Sequence, residues 1–159
     1  MFRSILVPLD GSALAARALD YAIEVARRDG ARLTLISVAA PLQWRFMSPY
    51  LVPYPTDDDL LRSAERIVDQ AQALVPEGIP VSTVVRRGPV AQAILDRVTC
   101  GEHDLVVMGS HGRGPVRAFL LGSVSRAVAA RSPAPVRIVR EGSTVPAPVV
   151  APEELYSAS

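Results

Sequence analysis

The sequence has little cysteine and no long hydrophobic segment. Cys100 is the only cysteine among 159 residues, so no intrachain disulfide can form and a disulfide-stabilised secreted fold is excluded. Cys100 lies near a predicted helix end, and the sequence indicates no function for it. A membrane helix requires about 18 consecutive apolar residues, and the sequence contains no such run. The apolar run before Pro8 is too short for a signal peptide. We therefore expect a cytoplasmic protein with no membrane partner.

An excess of one charge is also missing. The chain carries 17 Lys and Arg against 16 Asp and Glu, for a net charge of +1, so no strongly basic surface favours nucleic acid. The sequence places no nucleophile beside a base, no Cys/His cluster at metal-binding spacing and no pair of carboxylates in one cleft. We therefore predict no nucleic-acid partner, no catalytic residues and no metal site built from side chains.

What the sequence does contain is an alternation of short apolar runs with amphipathic helical segments. The predicted strands are Ser4–Leu9, Arg32–Val38, Val81–Arg86, Leu105–Met108 and Val136–Val139. Such alternation predicts an α/β fold, with a doubly wound five-stranded parallel sheet and helices on both faces. The 49% of hydrophobic residues suffices for one core. We expect one domain over 1–141 and a Pro/Ala/Ser-rich tail over 142–159, loose unless a partner holds it.

Two other segments differ from this pattern. Residues 41–55 combine four prolines with Trp44, Phe46, Tyr50 and Tyr54, which is typical either of a lid over a site or of a segment that packs on a helix edge or a partner. Three consecutive Asp residues over 57–59 follow Thr56. They suit the start of a helix better than a metal site, because consecutive helical side chains point in different directions.

A glycine-rich segment carries the main functional signal. The residues GSHGRGP over 109–115 follow a buried strand and precede Gly122 and Ser123, which begin a helix. Glycine permits positive φ and a close approach of the main chain, so successive N–H groups can point at phosphate oxygens. The helix N-terminus and the hydroxyls of Ser123 and Ser125 would add further donors. The spacing fits neither a Walker A loop nor a dinucleotide fingerprint, and an ordinary surface loop is the alternative.

The spacing of Gly109, Gly112, Gly122 and Ser123 resembles the G-2x-G-9x-G-S/T motif of the ATP-binding universal stress proteins. ILVPLDGS over 5–12, DLVVMGSHG over 104–112 and APVRIV over 134–139 add to the resemblance, which covers residues 1–140. It implies an adenine nucleotide alpha hydrolase-like fold with strand order 3-2-1-4-5, and usually a homodimer. In that order strands one and four would open a crevice at their carboxyl ends.

The resemblance also implies the residues of an adenine-nucleotide site. Pro8, Asp10 and Val38 would lie at the adenine and ribose end of the site. Met108 and Gly109 would lie beside the nucleotide. The residues that would hold the phosphates are Gly112, Gly122, Ser123, Val124 and Ser125. Asp10 could instead only form a turn. His111 would contact phosphate or face solvent, and His103 is predicted to lie at the surface.

The function predicted from this resemblance is nucleotide binding with little or no hydrolysis. The chain would be an ATP-dependent stress-response or regulatory module, with Mg²⁺ accompanying ATP and with AMP or cyclic AMP as other ligands. We expect a homodimer through the edge strand Val136–Val139, together with an unidentified regulatory protein. The alternatives are a slow Mg²⁺-dependent ATP hydrolase and a dimeric scaffold that binds no nucleotide.

Overall fold

A computed structural model describes residues 1–40, 55–111 and 122–142 of the chain. Five strands alternate with four helices in this part, as the hydrophobic pattern predicts. The elements are β1 Ser4–Pro8, α1 Ala13–Asp29, β2 Arg32–Ala39, α2 Asp57–Leu74, β3 Val81–Arg87, α3 Val90–Cys100, β4 Leu105–Gly109, α4 Ser123–Arg131 and β5 Val136–Val139. Predicted strand ends are correct for β5 and differ by one residue in the other four strands.

The five strands form one sheet with the order β3-β2-β1-β4-β5, and every neighbouring pair is parallel. The predicted order 3-2-1-4-5 is therefore confirmed. β1 lies between β2 and β4, so the chain leaves β1 toward one edge of the sheet and β4 toward the other. A crevice forms where such connections diverge, at the carboxyl ends of the two strands.

Apolar side chains cover both faces of the sheet, because successive residues of a strand point to opposite sides. Ile5 and Val7 of β1 belong to a core with the buried faces of α1 and α2. Leu6 of β1 belongs to a second core with α3 and α4, in which Ile94 and Val128 are fully buried. The near-continuous apolar strands are thus explained by a sheet buried on both sides.

Capping residues in the sequence mark the start of α1 and of α2. The Ser12 hydroxyl accepts a hydrogen bond from the N–H of Ala15 at 3.2 Å and caps α1. Thr56 and Asp59 form a reciprocal capping box at the start of α2, and these hydrogen bonds, with Arg62, hold the pKa of Asp59 at about 2. The predicted structural role of this acidic run is confirmed. Leu74, predicted on the buried face of α2, is 66% exposed because the helix ends there.

His103 is buried, so its predicted place at the surface is wrong. Its side chain packs under the amino-terminal end of the sheet, where its Nδ1 lies 2.8 Å from the hydroxyl of Ser4. Arg32 donates to the same hydroxyl from its Nε at 3.0 Å. Burial, reinforced by the charges of Arg97 and Arg32, lowers the pKa of His103 to about 4.

Three expectations concern parts of the chain that the structure does not describe. The aromatic segment over 41–54 and the tail beyond Gly142 lie outside the described residues, as does the loop over 112–121. Among the described helices, none combines the length and the apolar character needed to cross a membrane.

Candidate functional site

A cavity of about 300 Å³ lies at the carboxyl ends of β1 and β4. This is the crevice that the strand order predicts. Ten of the eleven predicted site residues line it, namely Pro8, Asp10, Val38, Met108, Gly109, His111, Gly122, Ser123, Val124 and Ser125. The eleventh, Gly112, lies outside the described residues. We call this space the switch-point cavity.

One wall of the switch-point cavity is apolar. It is formed by Ile36 and Val38 of β2, Val90 and Ile94 of α3 and Met108 of β4. The side chains of Ile36, Ile94 and Met108 are each at most 5% exposed, so the wall is part of the core. An apolar slot of this kind suits a flat ring such as a nucleobase.

Three of these wall residues, Ile36, Val90 and Ile94, were not predicted from the sequence as site residues. Ile36 precedes Val38 by two positions on the same strand, so period-two alternation places both on one face. Val90 and Ile94 lie one helical turn apart on the apolar stripe of α3. The spacing of Val90 and Ile94 predicts that they share the apolar face of α3. Only the packing of α3 beside β2 shows that they line the cavity.

The N-terminus of α4 forms a polar end of the switch-point cavity. Gly122 occupies the N-cap position, no side chain caps the helix, and its first turn carries no acidic residue. The first N–H groups of an α-helix lack intrahelical acceptors and lie at the positive end of the helix dipole. Ser123 and Val124 line the cavity at this point, so an anion there would meet main-chain donors.

Hydrogen bonds join the turn after β4 to the start of α4. The carbonyl of Ser110 accepts from the N–H of Gly122 at 2.7 Å and from the hydroxyl of Ser125 at 2.6 Å. The Ser125 hydroxyl also donates to the carbonyl of Gly122 at 3.1 Å. Ser125 is 1% exposed. Its hydroxyl therefore positions the helix N-terminus against the turn, and the prediction that this hydroxyl donates to a phosphate is wrong.

Close packing explains two of the motif glycines. A Cβ on Gly109 would lie 3.0 Å from the Cβ of Leu14 in α1, and a Cβ on Gly122 would lie 3.3 Å from the Cα of His111. Gly122 has a φ of −63°, and neither glycine is among the described residues with positive φ. Of the two properties of glycine considered from the sequence, positive φ is not used at these two positions. They permit close contacts that hold the cavity in shape.

Asp10 combines the two roles considered for it. Its Oδ1 accepts a hydrogen bond from the N–H of Ser12 at 2.9 Å, which is the turn-forming contact. The residue also lines the switch-point cavity at the end of β1. A carboxylate in this place can accept hydrogen bonds from sugar hydroxyls.

His111 lies at the polar end of the switch-point cavity. Its Nδ1 is 3.0 Å from the hydroxyl of Ser110, which fixes the ring beside Gly122. Asp10 and His111 are the only ionisable side chains among the described residues that line the cavity. Arg113 and Arg117, for which the sequence leaves open a contact with phosphate, a contact with a neighbouring subunit or a solvated position, lie outside the described residues. Within the described part of the site, an anion therefore depends on N–H groups, hydroxyls and the imidazole.

Comparisons with known proteins find a family and several relatives that are similar to this chain. The model of the universal stress protein family matches residues 1–140. The universal stress protein in QAH/OAS sulfhydrylase 3'region of Thermus aquaticus is 35% identical over 142 residues, which are 88% of this chain and 100% of that protein.

Two solved structures are also similar to the chain. A protein from the universal stress protein family of Burkholderia pseudomallei is 27% identical, with a TM-score of 0.66, over 86% of this chain and 95% of that one. A universal stress protein in complex with cAMP is 27% identical, with a TM-score of 0.57, over 87% of this chain and 97% of that one.

Proposed function

Because this chain belongs to the universal stress protein family, we propose that it binds an adenine nucleotide, preferably ATP, in the switch-point cavity. Nucleotide occupancy would then regulate a stress response through a partner protein. The observation that carries this proposal is one cavity that is lined both by an apolar slot and by the N-terminus of α4. These two features suit the base and the phosphates of one ligand.

Two observations support an adenine nucleotide as the ligand. The structural relative in complex with cAMP holds an adenine nucleotide, and its fold is the fold of this chain. In this chain, Asp10 lines the same cavity, and its carboxylate can accept hydrogen bonds from the hydroxyls of a ribose. ATP carries more phosphate charge than AMP or cyclic AMP, so Mg²⁺ would accompany it and offset part of that charge.

We propose binding rather than rapid turnover. A general base needs a position within hydrogen-bond reach of the attacking water and a pKa near the working pH. Among the described residues of the cavity, Asp10 is the only carboxylate, and it already accepts a hydrogen bond from Ser12. We propose that any hydrolysis of ATP is slow and that the bound nucleotide acts as a signal.

The experiment that tests the proposal is thermal unfolding with and without ATP and Mg²⁺. A ligand that binds only the folded state at 100 times its Kd stabilises it by about 2.7 kcal/mol, and we expect a corresponding rise in Tm. Gly122→Val should abolish the rise, because its side chain would displace His111 and the turn at Ser110. Ala129→Val is the matched control, since Ala129 is an exposed residue of the same helix. An equal rise in Gly122→Val and Ala129→Val would remove the α4 N-terminus from the site.

We also propose that the chain forms a homodimer through β5. Among the described strands β5 pairs only with β4, so one side of its main chain has no strand partner. Arg137 lies 5.1 Å from the ring centre of Tyr21 in α1, which directs its side chain over the face of the sheet and away from the edge. Pairing of two β5 strands about a two-fold axis is self-complementary and closes at two subunits.

A further inference from the structure

A second cavity of about 190 Å³ lies between the end of β3 and α3. We call it the α3 groove. Its polar lining residues are Arg86, Arg87, Gln92, Asp96, Arg97 and Cys100. It shares no lining residue with the switch-point cavity, although α3 contributes Val90 and Ile94 to that cavity. The proposed nucleotide site therefore does not account for the α3 groove.

Three arginines line the α3 groove, and two of them already use part of their donors elsewhere. Arg86 donates to the adjacent carbonyl of Val85 at 3.1 Å, and Arg87 lies 3.6 Å from the carboxylate of Asp58 at the surface. The Nε of Arg97 is buried and has no hydrogen-bond partner in the described part of the chain. Each guanidinium has five N–H donors in a fork that matches a carboxylate. Arg86, whose side chain is exposed, therefore brings further donors for an anion to the groove.

A carboxylate and a thiol in the α3 groove indicate which kind of anion would bind there. Asp96 also lines the groove, where it accepts a hydrogen bond from the amide of Gln92 at 2.7 Å and adds negative charge. A ligand that carries an ammonium group as well as carboxylates complements this arrangement. Cys100, the last residue of α3, contributes an exposed free thiol to the same groove. A thiolate attacks disulfides, so a bound disulfide could react there.

We propose that the α3 groove is a ligand site for a small disulfide that bears carboxylates and ammonium groups, and that Cys100 forms a mixed disulfide with it. The Cys100 thiolate attacks one sulfur of the bound disulfide, and the S–S bond of the ligand breaks as the new S–S bond forms. The other half of the ligand leaves as a thiolate, which takes up the proton that Cys100 has lost. The ligand itself is the oxidant, so no other reagent is needed.

The test compares two disulfides of opposite charge on the full chain. Glutathione disulfide carries carboxylates and ammonium groups, whereas cystamine carries only ammonium groups. Intact-protein mass spectrometry gives the rate of adduct formation for each, in the folded chain and in urea. Cationic clefts raise the local concentration of anions by about tenfold or more. We therefore expect the rate ratio of glutathione disulfide to cystamine to be about tenfold higher in the folded chain, and to fall with salt.

Variants identify the groups responsible. Arg86→Gln should lower the ratio severalfold, since its exposed side chain lines the groove. Arg27→Gln is the matched control, because Arg27 is an exposed arginine of α1 that does not line the groove. Cys100→Ser should form no adduct. Equal ratios in folded and unfolded chain would overturn the proposal, as would equal effects of Arg86→Gln and Arg27→Gln. Neither result depends on nucleotide binding, so the two proposals fail separately.

Discussion

Acid should destabilise the fold through His103. The ring is 6% exposed and is held by the Ser4 hydroxyl, and its Nε2 has no hydrogen-bond partner among the described residues. Burial and the charges of Arg97 and Arg32, opposed by Asp104, lower its pKa from 6.5 to about 4. The folded state therefore favours the neutral imidazole, while the unfolded chain takes up a proton near pH 6.5.

These two pKa values determine how much free energy of unfolding is lost in acid and over which pH range. The stabilising contribution of neutral His103 is complete above pH 6.5 and is lost as the pH falls from 6.5 to about 4. One pKa unit corresponds to about 1.4 kcal/mol, so the full loss is about 3 kcal/mol. That is a large share of the 5–15 kcal/mol of a typical small domain. The pKa of Asp29 and of Asp59 is about 2, so these two carboxylates act below this window.

Urea unfolding between pH 7.5 and 4.5 measures this effect. The native chain should lose free energy of unfolding with decreasing pH, and His103→Gln should lose much less, because the glutamine cannot be protonated. The chain has two histidines, so His111→Gln is the matched control and should keep the native slope. A slope in His103→Gln equal to that of the native chain would refute the argument.

Three further predictions concern the site and the dimer. Gly109→Ala should cost about 1–3 kcal/mol in urea unfolding, because its Cβ would contact Leu14 at 3.0 Å; an unchanged stability would contradict the close packing of β4 on α1. Purified chain should hydrolyse ATP far more slowly than about 1 per second, the lower end of ordinary enzymes; faster release of phosphate that Asp10→Asn abolishes would make the chain an enzyme. Light scattering should give the mass of a dimer for the native chain and of a monomer for Ile138→Pro; a dimer that survives this substitution would place the interface away from β5.

The strand pattern predicted most of the fold, and the resemblance to the universal stress proteins predicted most of the residues that line the candidate site. β5 begins and ends as predicted, because its four residues lie between Pro135 and the charged Arg140. Ten of the predicted site residues share one cavity, since they follow β1, β2 and β4 or begin α4, and the parallel order brings these points together. Such residues are positioned by local elements, which sequence patterns report.

Features that depend on distant contacts were not predicted. The burial of His103 depends on Ser4, which is 99 positions away in the chain, so no local pattern indicates it. The need for glycine at position 122 follows from the approach of His111 and not from the backbone angle. The α3 groove combines the end of β3 with one side of α3, and neither segment alone indicates a cavity.

The most direct test of the central claim is a ¹H–¹⁵N spectrum of the labelled chain, titrated with ATP and Mg²⁺. Binding in the switch-point cavity predicts saturable shifts of the amide signals of Ser110, Gly122, Val124 and Ser125, which surround its polar end. The amide of Cys100 in the α3 groove should not move. Unchanged spectra at millimolar ATP, or shifts confined to the residues of the α3 groove, would contradict the account.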